Sequence, residues 1–168
     1  MRNKISLNKI HGPVLSVITP FLKNEKIDYK SLYKYLDYYY VRGCKVFYIM
    51  AYNSRLTLMT PKEIETFNIK IIRYLKSKYK DVFIISAEGV EKSTQVSIKL
   101  CNKFYKTGAD MGSLIFGEKY YFDDQIYRHF KTSSSSSGKH VRRQDNACDL
   151  DSFFYPVLFF PFTSVNHL

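Results

Sequence analysis

A chain of 168 residues is the size of one ordinary domain and falls short of the roughly 250 residues usual for a complete eight-fold α/β barrel. With 45% hydrophobic and 24% charged residues the composition is globular, which excludes wholesale disorder, collagen-like repeats and coiled coils. The formal charge is +11, and because the three basic and three acidic side chains of residues 132–168 cancel, the whole excess lies in residues 1–131. Such an excess brings nucleic acid or an anionic surface into consideration. The lysines are spread over several predicted helices, however, and read first as solvated helix faces.

Cys44, Cys101 and Cys148 lie far apart with no CxxC pair. That excludes a zinc site readable from sequence and argues against a disulfide-stapled secreted module, so a reducing cytoplasm is the expected compartment. The longest uncharged stretch, residues 152–168, is shorter than the about 20 apolar residues of a membrane span and is broken by Pro156 and Pro161. Arg2, Lys4 and Lys9 precede the apolar residues 13–22 in the manner of a signal peptide, but Pro20 and the lack of a small-residue cleavage site favour a strand.

Residues 14–19 (VLSVIT) are short, β-branched and bounded by Gly12, Pro13 and Pro20, which predicts a buried first strand. Asp28 is placed to cap a helix on which Tyr29, Leu32, Tyr33, Leu36 and Tyr40 recur at helical spacing, with Gly43 to end it. Residues 46–50 (VFYIM) predict a second strand. Thr60, Pro61 and Glu63 form a capping box with proline at the first helical position, opening a helix with Ile64, Phe67, Ile71 and Leu75 on one stripe. That helix ends in the lysine-rich residues 76–80. Residues 82–87 (VFIISA) predict the third strand. Ser93 caps a helix expected to bury Val96, Leu100 and Phe104 and to close at Gly108, residues 113–116 (SLIF) predict the fourth strand, and Asp123 or Asp124 opens a short helix over 125–131.

The order is thus β-α repeated four times with continuous apolar strands, which predicts a parallel α/β sheet covered on both faces. Periodicity alone does not separate a doubly wound sheet from a segment of a closed barrel. No GxGxxG or GxxxxGK[ST] follows any strand, so the nucleotide-binding versions lack their phosphate-cradling loop. Domain organisation reads as an α/β unit over 1–131, a Ser-rich polar linker or insert over 132–152 that begins with the run 133–137, and a hydrophobic tail over 153–168. The tail holds six aromatics within residues 153–162 (FFYPVLFFPF) and is a possible fifth strand.

Several landmarks, in order, resemble the dihydrodipicolinate synthase and N-acetylneuraminate lyase family of class I aldolase-type enzymes. Residues 12–21 (GPVLSVITPF) look like the family's opening strand ending in T-P-F, and Ile27-Asp28 like its following "iD". Residues 59–63 (MTPKE) resemble its L-T-x-x-E, and residues 86–89 (SAEG) with Ser93-Thr94 are similar to A-G-x-G and the S-T beyond it. Residues 108–110 (GAD), Tyr120-Tyr121 and His129-Phe130 look like its G-A-D, Y-Y and H-F. The resemblance covers about residues 10–131. It implies a partial (β/α)8 TIM barrel of about four βα units, with a site at the C-terminal strand ends.

By resemblance the activity is that of a carbon-carbon lyase or aldolase acting on pyruvate or a related 2-oxo acid through a lysine Schiff base. No cofactor and no metal are implied. The family's G-T-T-G-E loop, which holds the substrate carboxylate, aligns with residues 51–55 (AYNSR), where none of the five is retained. Tyr52 and Asn53 can still donate hydrogen bonds, so they are the candidate substrate-binding residues. Arg55 reverses the charge of the family's acidic residue, which implies a different substrate or none.

Tyr121 aligns with the family's strand-four proton-relay tyrosine and is the candidate catalytic residue. The competing reading is that Tyr120, Tyr121 and Phe122 merely pack. Residues 156–160 (PVLFF) carry a faint likeness to the family's fifth strand, with Phe160 where a second relay tyrosine stands, and no lysine follows Lys139. The chain alone is therefore expected to be inactive, as a truncated or frame-shifted copy, a pseudoenzyme or one piece of a split enzyme. Lys119 as a replacement amine ranks below an ordinary solvated lysine. His11, His129, His140 and His167 show no paired-ligand spacing, and no serine sits in a GxSxG turn. Expected partners are a small 2-oxo acid such as pyruvate and either a second copy or a complementary half-barrel. No membrane partner is expected, and a basic nucleic-acid-binding module is the lower-ranked rival.

Overall fold

The computed structural model describes residues 12–87, 93–115, 128, 132 and 157–161. Its elements run β1 (Val14–Ser16), α1 (Tyr29–Val41), β2 (Val46–Ile49), α2 (Pro61–Lys78), β3 (Phe83–Ala87), α3 (Thr94–Thr107), β4 (Met111–Ile115) and β5 (Val157–Pro161). They form one five-stranded sheet in sequential order. β1 to β4 are parallel, in the register Ser16↔Tyr48, Tyr48↔Ile85 and Ile85↔Met111.

Local chemistry sets the helix boundaries. The Asp28 carboxylate accepts the Ser31 amide at 3.0 Å, and Gly43 adopts φ 93 beyond the end of α1, the left-handed turn that glycine takes without strain. At α2 both arms of the capping box are made, with the Glu63 amide donating to Thr60 Oγ1 at 3.3 Å and the Thr60 amide donating to Glu63 Oε2 at 2.8 Å. Ile64, Phe67, Ile71 and Leu75 are all buried, as their spacing predicts.

On α3 the Ser93 cap and the Gly108 stop are both present, but the buried residues are Ser97, Cys101 and Phe104, and Val96 is 42% exposed. The expected stripe advanced by four residues at each step, which drifts around a helix of 3.6 residues per turn. The contact face follows Phe104 and the small residues one step further on. β1 is also shorter than its apolar run, because the chain beyond Ser16 turns into the loop that meets the end of β2. β4 begins two residues earlier than residues 113–116 suggest, and the calls on Asp123, Asp124 and the helix over 125–131 lie outside the described residues, apart from helical backbone at Arg128.

Strand order decides between the two architectures. In a right-handed β-α-β crossover the helix falls on a fixed side, so strands added always in the same direction put every helix on one face. Phe47, Ile49 and Ile84 pack with Leu32, Leu36, Phe67, Ile71, Ile72, Leu75 and Phe104 in one core. Val46, Phe83, Ile85 and Met111, one residue out of phase, form a second buried cluster on the opposite face. This is the wall of a barrel and not a doubly wound sheet.

The tail contains the possible fifth strand, but with an orientation that the sequence did not suggest. β5 pairs antiparallel to β4, in the register Ile115↔Val157, Gly112↔Phe160 and Met111↔Pro161. A reversed strand carries Phe160 toward the N-terminal end of β4, away from the rim where a relay group belongs, so the faint likeness to a parallel fifth strand is overturned.

The outer surface between α1 and α2 is zipped by aromatics. Tyr33 stacks on Tyr74 with centroids 4.1 Å apart and Tyr40 on Tyr79 at 3.5 Å. Between these stacks Asp37 accepts hydrogen bonds from Tyr79 Oη (2.6 Å), Tyr74 Oη (2.8 Å) and Lys78 Nζ (2.6 Å). At the base of the sheet Lys76 Nζ reaches Asp110 at 2.5 Å, and the same carboxylate accepts the Ile84 amide at 2.8 Å, tying α2 to β3 and β4. Among the described residues no helix is long and apolar enough to cross a membrane.

Candidate functional site

Two segments meet at the C-terminal ends of β1 and β2. β2 ends at Ile49 and is followed by a loop with two short 3-10 turns, Tyr52–Ser54 and Leu56–Leu58, before the Thr60 cap of α2. Three hydrogen bonds lash this loop to the end of β1. Ser16 Oγ donates to Asn53 Oδ1 at 2.6 Å, Thr19 Oγ1 donates to the Ser54 carbonyl at 2.7 Å, and Ser54 Oγ donates to the Val17 carbonyl at 2.5 Å. Thr19 and Ser54 are buried, so the last two of these bonds are shielded from competing water, while the Ser16 bond to Asn53 is exposed.

The lashing holds a strained backbone. Met50 and Arg55 adopt φ 61 and φ 56, left-handed values that cost a residue with a β-carbon roughly 1 kcal/mol or more. Met50 is fully buried in the core, so packing accounts for its conformation. Asn53 presents its amide at the rim through the Ser16 bond, and Tyr52 is 58% exposed beside it.

Across the inner face a second polar pair lies among apolar neighbours. Tyr48 Oη and Ser113 Oγ are 2.8 Å apart, spanning β3 from β2 to β4. Burial pushes the Tyr48 phenol above its ordinary pKa, and the Ser113 hydrogen bond only partly opposes that. The phenol is therefore neutral at physiological pH, able to donate or accept a hydrogen bond.

The structure thus brings Tyr52 and Asn53 together at the rim, and Tyr121 and Lys119 lie outside the described residues. Sequence reasoning missed Ser16, Tyr48 and Ser113. Strand alternation already carried half of the signal, since Tyr48 is in phase with Val46 and out of phase with the helix-facing Phe47 and Ile49. Their pairing needed the strand order. No group of three or more His, Cys, Asp or Glu placed to hold a metal occurs among the described residues. Cys44 and Cys101 are buried thiols.

The chain was compared with known proteins. No family model matches it. It is 28% identical over 130 residues to a 4-hydroxy-tetrahydrodipicolinate synthase from Oceanobacillus iheyensis, an alignment that covers 75% of this chain and 42% of that relative. The crystal structure of dihydrodipicolinate synthase from the same organism superposes with a TM-score of 0.66 at 17% identity, over 73% of this chain and 40% of the other. The chloride-inhibited dihydrodipicolinate synthase of Acinetobacter baumannii, complexed with pyruvate, gives 0.62 at 24% identity over 74% and 42%. The chain therefore spans about two fifths of the length of the relatives it matches. Its four parallel strands are a partial TIM barrel of the kind those structures contain. Curated and structural relatives together point to the dihydrodipicolinate synthase family, with this chain matching a partial, amino-terminal region of it.

Proposed function

We propose that this chain forms the amino-terminal wall of an aldolase-type barrel and binds a small 2-oxo acid such as pyruvate at the rim of β1 and β2, without completing Schiff-base chemistry alone. The observation that carries this reading is the hydrogen bond of Ser16 to Asn53, which fixes an amide donor at the C-terminal strand ends where barrel enzymes hold their substrates. The complex of the Acinetobacter relative with pyruvate supports the substrate class.

The chemistry of the rim is that of binding. Accepting Ser16 at Oδ1 leaves the Asn53 amide nitrogen to donate to a carboxylate, and the Tyr52 phenol adds a second donor. Tyr121 is the proposed proton-relay residue. Imine formation needs an amine whose pKa is lowered by desolvation or by a neighbouring cation. The residues that build this rim offer hydroxyls, an amide and a guanidinium. A second copy or a complementary half-barrel is the proposed partner, because β1 is an edge strand among the described residues, and a sheet edge favours association. The buried thiols fit a reducing compartment, for which we propose the cytoplasm.

The test is to titrate the folded protein with pyruvate by ligand-observed NMR and to treat a parallel sample with borohydride before intact-mass measurement. Saturable binding that weakens about fivefold in Asn53→Ala, the effect of one net hydrogen bond, with no mass gain, is the expected result. Absence of binding refutes the site, and a reduced pyruvate adduct refutes the non-covalent reading.

A further inference from the structure

Arg55 stands out in the β2 loop for a reason that packing does not supply. It is exposed, its backbone is left-handed, and glycine would occupy the same position without strain. Among the described residues its guanidinium has no ion-pair or hydrogen-bond partner. Of the described acids on α2, Glu63 is engaged with the Thr60 amide and hydroxyl and Glu65 with Lys103 and Lys62. Its backbone joins the two 3-10 turns, its carbonyl accepting the Leu58 amide at 3.0 Å, while the side chain stays exposed in the loop that carries Asn53.

The position supplies the role. Arg55 is two residues beyond Asn53, and two residues of chain reach at most roughly 7 Å. The loop is held by the three bonds to the β1 segment, so the backbone of Arg55 and the Asn53 amide belong to one fixed turn. A guanidinium meets a carboxylate in a planar, two-point contact that an ammonium or a hydroxyl does not reproduce.

We propose that Arg55 determines specificity, selecting 2-oxo acids that carry a second carboxylate over pyruvate. This rests on the reading of the rim given above. Asn53 and Tyr52 take the carboxylate next to the oxo group, and Arg55 takes the distal one.

The experiment compares 2-oxoglutarate, pyruvate and glutarate as ligands of the wild-type chain, of Arg55→Gly and of Arg55→Glu, by ligand-observed NMR titration. The wild type is expected to favour 2-oxoglutarate over pyruvate by about tenfold or more, the effect of one charge-assisted pair. Arg55→Gly keeps the backbone conformation and is expected to retain thermal stability while losing the preference, and Arg55→Glu to disfavour the diacid. Pyruvate bound equally well by the wild type, or a preference that survives in Arg55→Gly, overturns the assignment while leaving the rim reading intact. Glutarate bound as tightly as 2-oxoglutarate overturns the substrate class. Folded protein that binds none of the three overturns both readings.

Discussion

Asn68 is a polar side chain with no solvent exposure, lying between α2 and the end of β3. Its Nδ2 donates to the Ile64 carbonyl at 2.9 Å and the Ala87 carbonyl at 3.1 Å, and its Oδ1 accepts from Ser86 Oγ at 2.7 Å. Replacing it with leucine, a residue of comparable size, removes all three bonds and leaves the Ser86 hydroxyl, itself 1% exposed, without its acceptor. An orphaned buried hydroxyl costs about 1–3 kcal/mol and the other two lost bonds contribute about 1 kcal/mol each, so a loss of about 3–5 kcal/mol is expected. Against a typical total of about 5–15 kcal/mol that is a large fraction. Urea unfolding of the wild type, Asn68→Leu, Ser86→Ala and the double variant measures it. Removing the hydroxyl together with its acceptor is expected to recover roughly 1 kcal/mol relative to Asn68→Leu alone, because the unpaired group is then gone. A single variant within about 0.5 kcal/mol of wild type, or a double variant as unstable as the sum of its parts, refutes the reasoning.

Three further outcomes follow from the same kind of reasoning. Burial pushes the Asp37 carboxyl up, but its bonds from Lys78, Tyr79 and Tyr74 outweigh that and hold it below the usual carboxylate range. A folded-state pKa below the unfolded one means stability that is present above about pH 4 and lost as pH falls through the folded value. Asp37→Asn is therefore expected to cost about 1 kcal/mol at neutral pH and progressively less as pH falls below about 4, as read from urea midpoints across pH. Thr60→Ala removes both the cap hydroxyl and its bond to Glu63, and a loss of about 1 kcal/mol is expected by the same assay. Gly108 ends α3 at φ +124, and a β-carbon there meets Lys76 Cγ at 3.4 Å and Ile72 Cγ2 at 3.6 Å. Because the contacts are ordinary and the backbone angle is not, Gly108→Ala is expected to lower the thermal midpoint through strain, by about 1 kcal/mol or more. An unchanged midpoint contradicts that.

Much of the site's frame is local, and the sequence carried it. The Thr60-Pro61-Glu63 box, the Asp28 and Ser93 caps and the Gly43 and Gly108 stops each act within a few residues, so residue identity and spacing suffice to place α1, α2 and α3. The continuous apolar strands between them required cover on both faces, which implied a parallel sheet, and Tyr52 and Asn53 fell in the loop after β2. What the rim residues touch is not local. Ser16 and Asn53 are 37 positions apart and Tyr48 and Ser113 are 65 apart, so their pairing depends on which strands are neighbours. The same holds for the helix faces. Phe104 is buried where its spacing placed it, but Val96 is turned outward because a stripe stepping by four drifts around a helix of 3.6 residues per turn, and packing chose the face of Ser97, Cys101 and Phe104.

The amino-acid sequence by itself determined where each helix starts and stops, which strands are apolar throughout, and the order of landmarks that resembles the aldolase-type family. Tertiary structure alone decided that the helices share one face, that β5 runs antiparallel to β4, and that three hydrogen bonds from the end of β1 hold the strained loop after β2. The division has one physical origin. Caps, turns and periodicity are satisfied within a turn or two of chain, whereas strand direction, face and rim geometry are set by the burial of surfaces that only meet once the chain has folded.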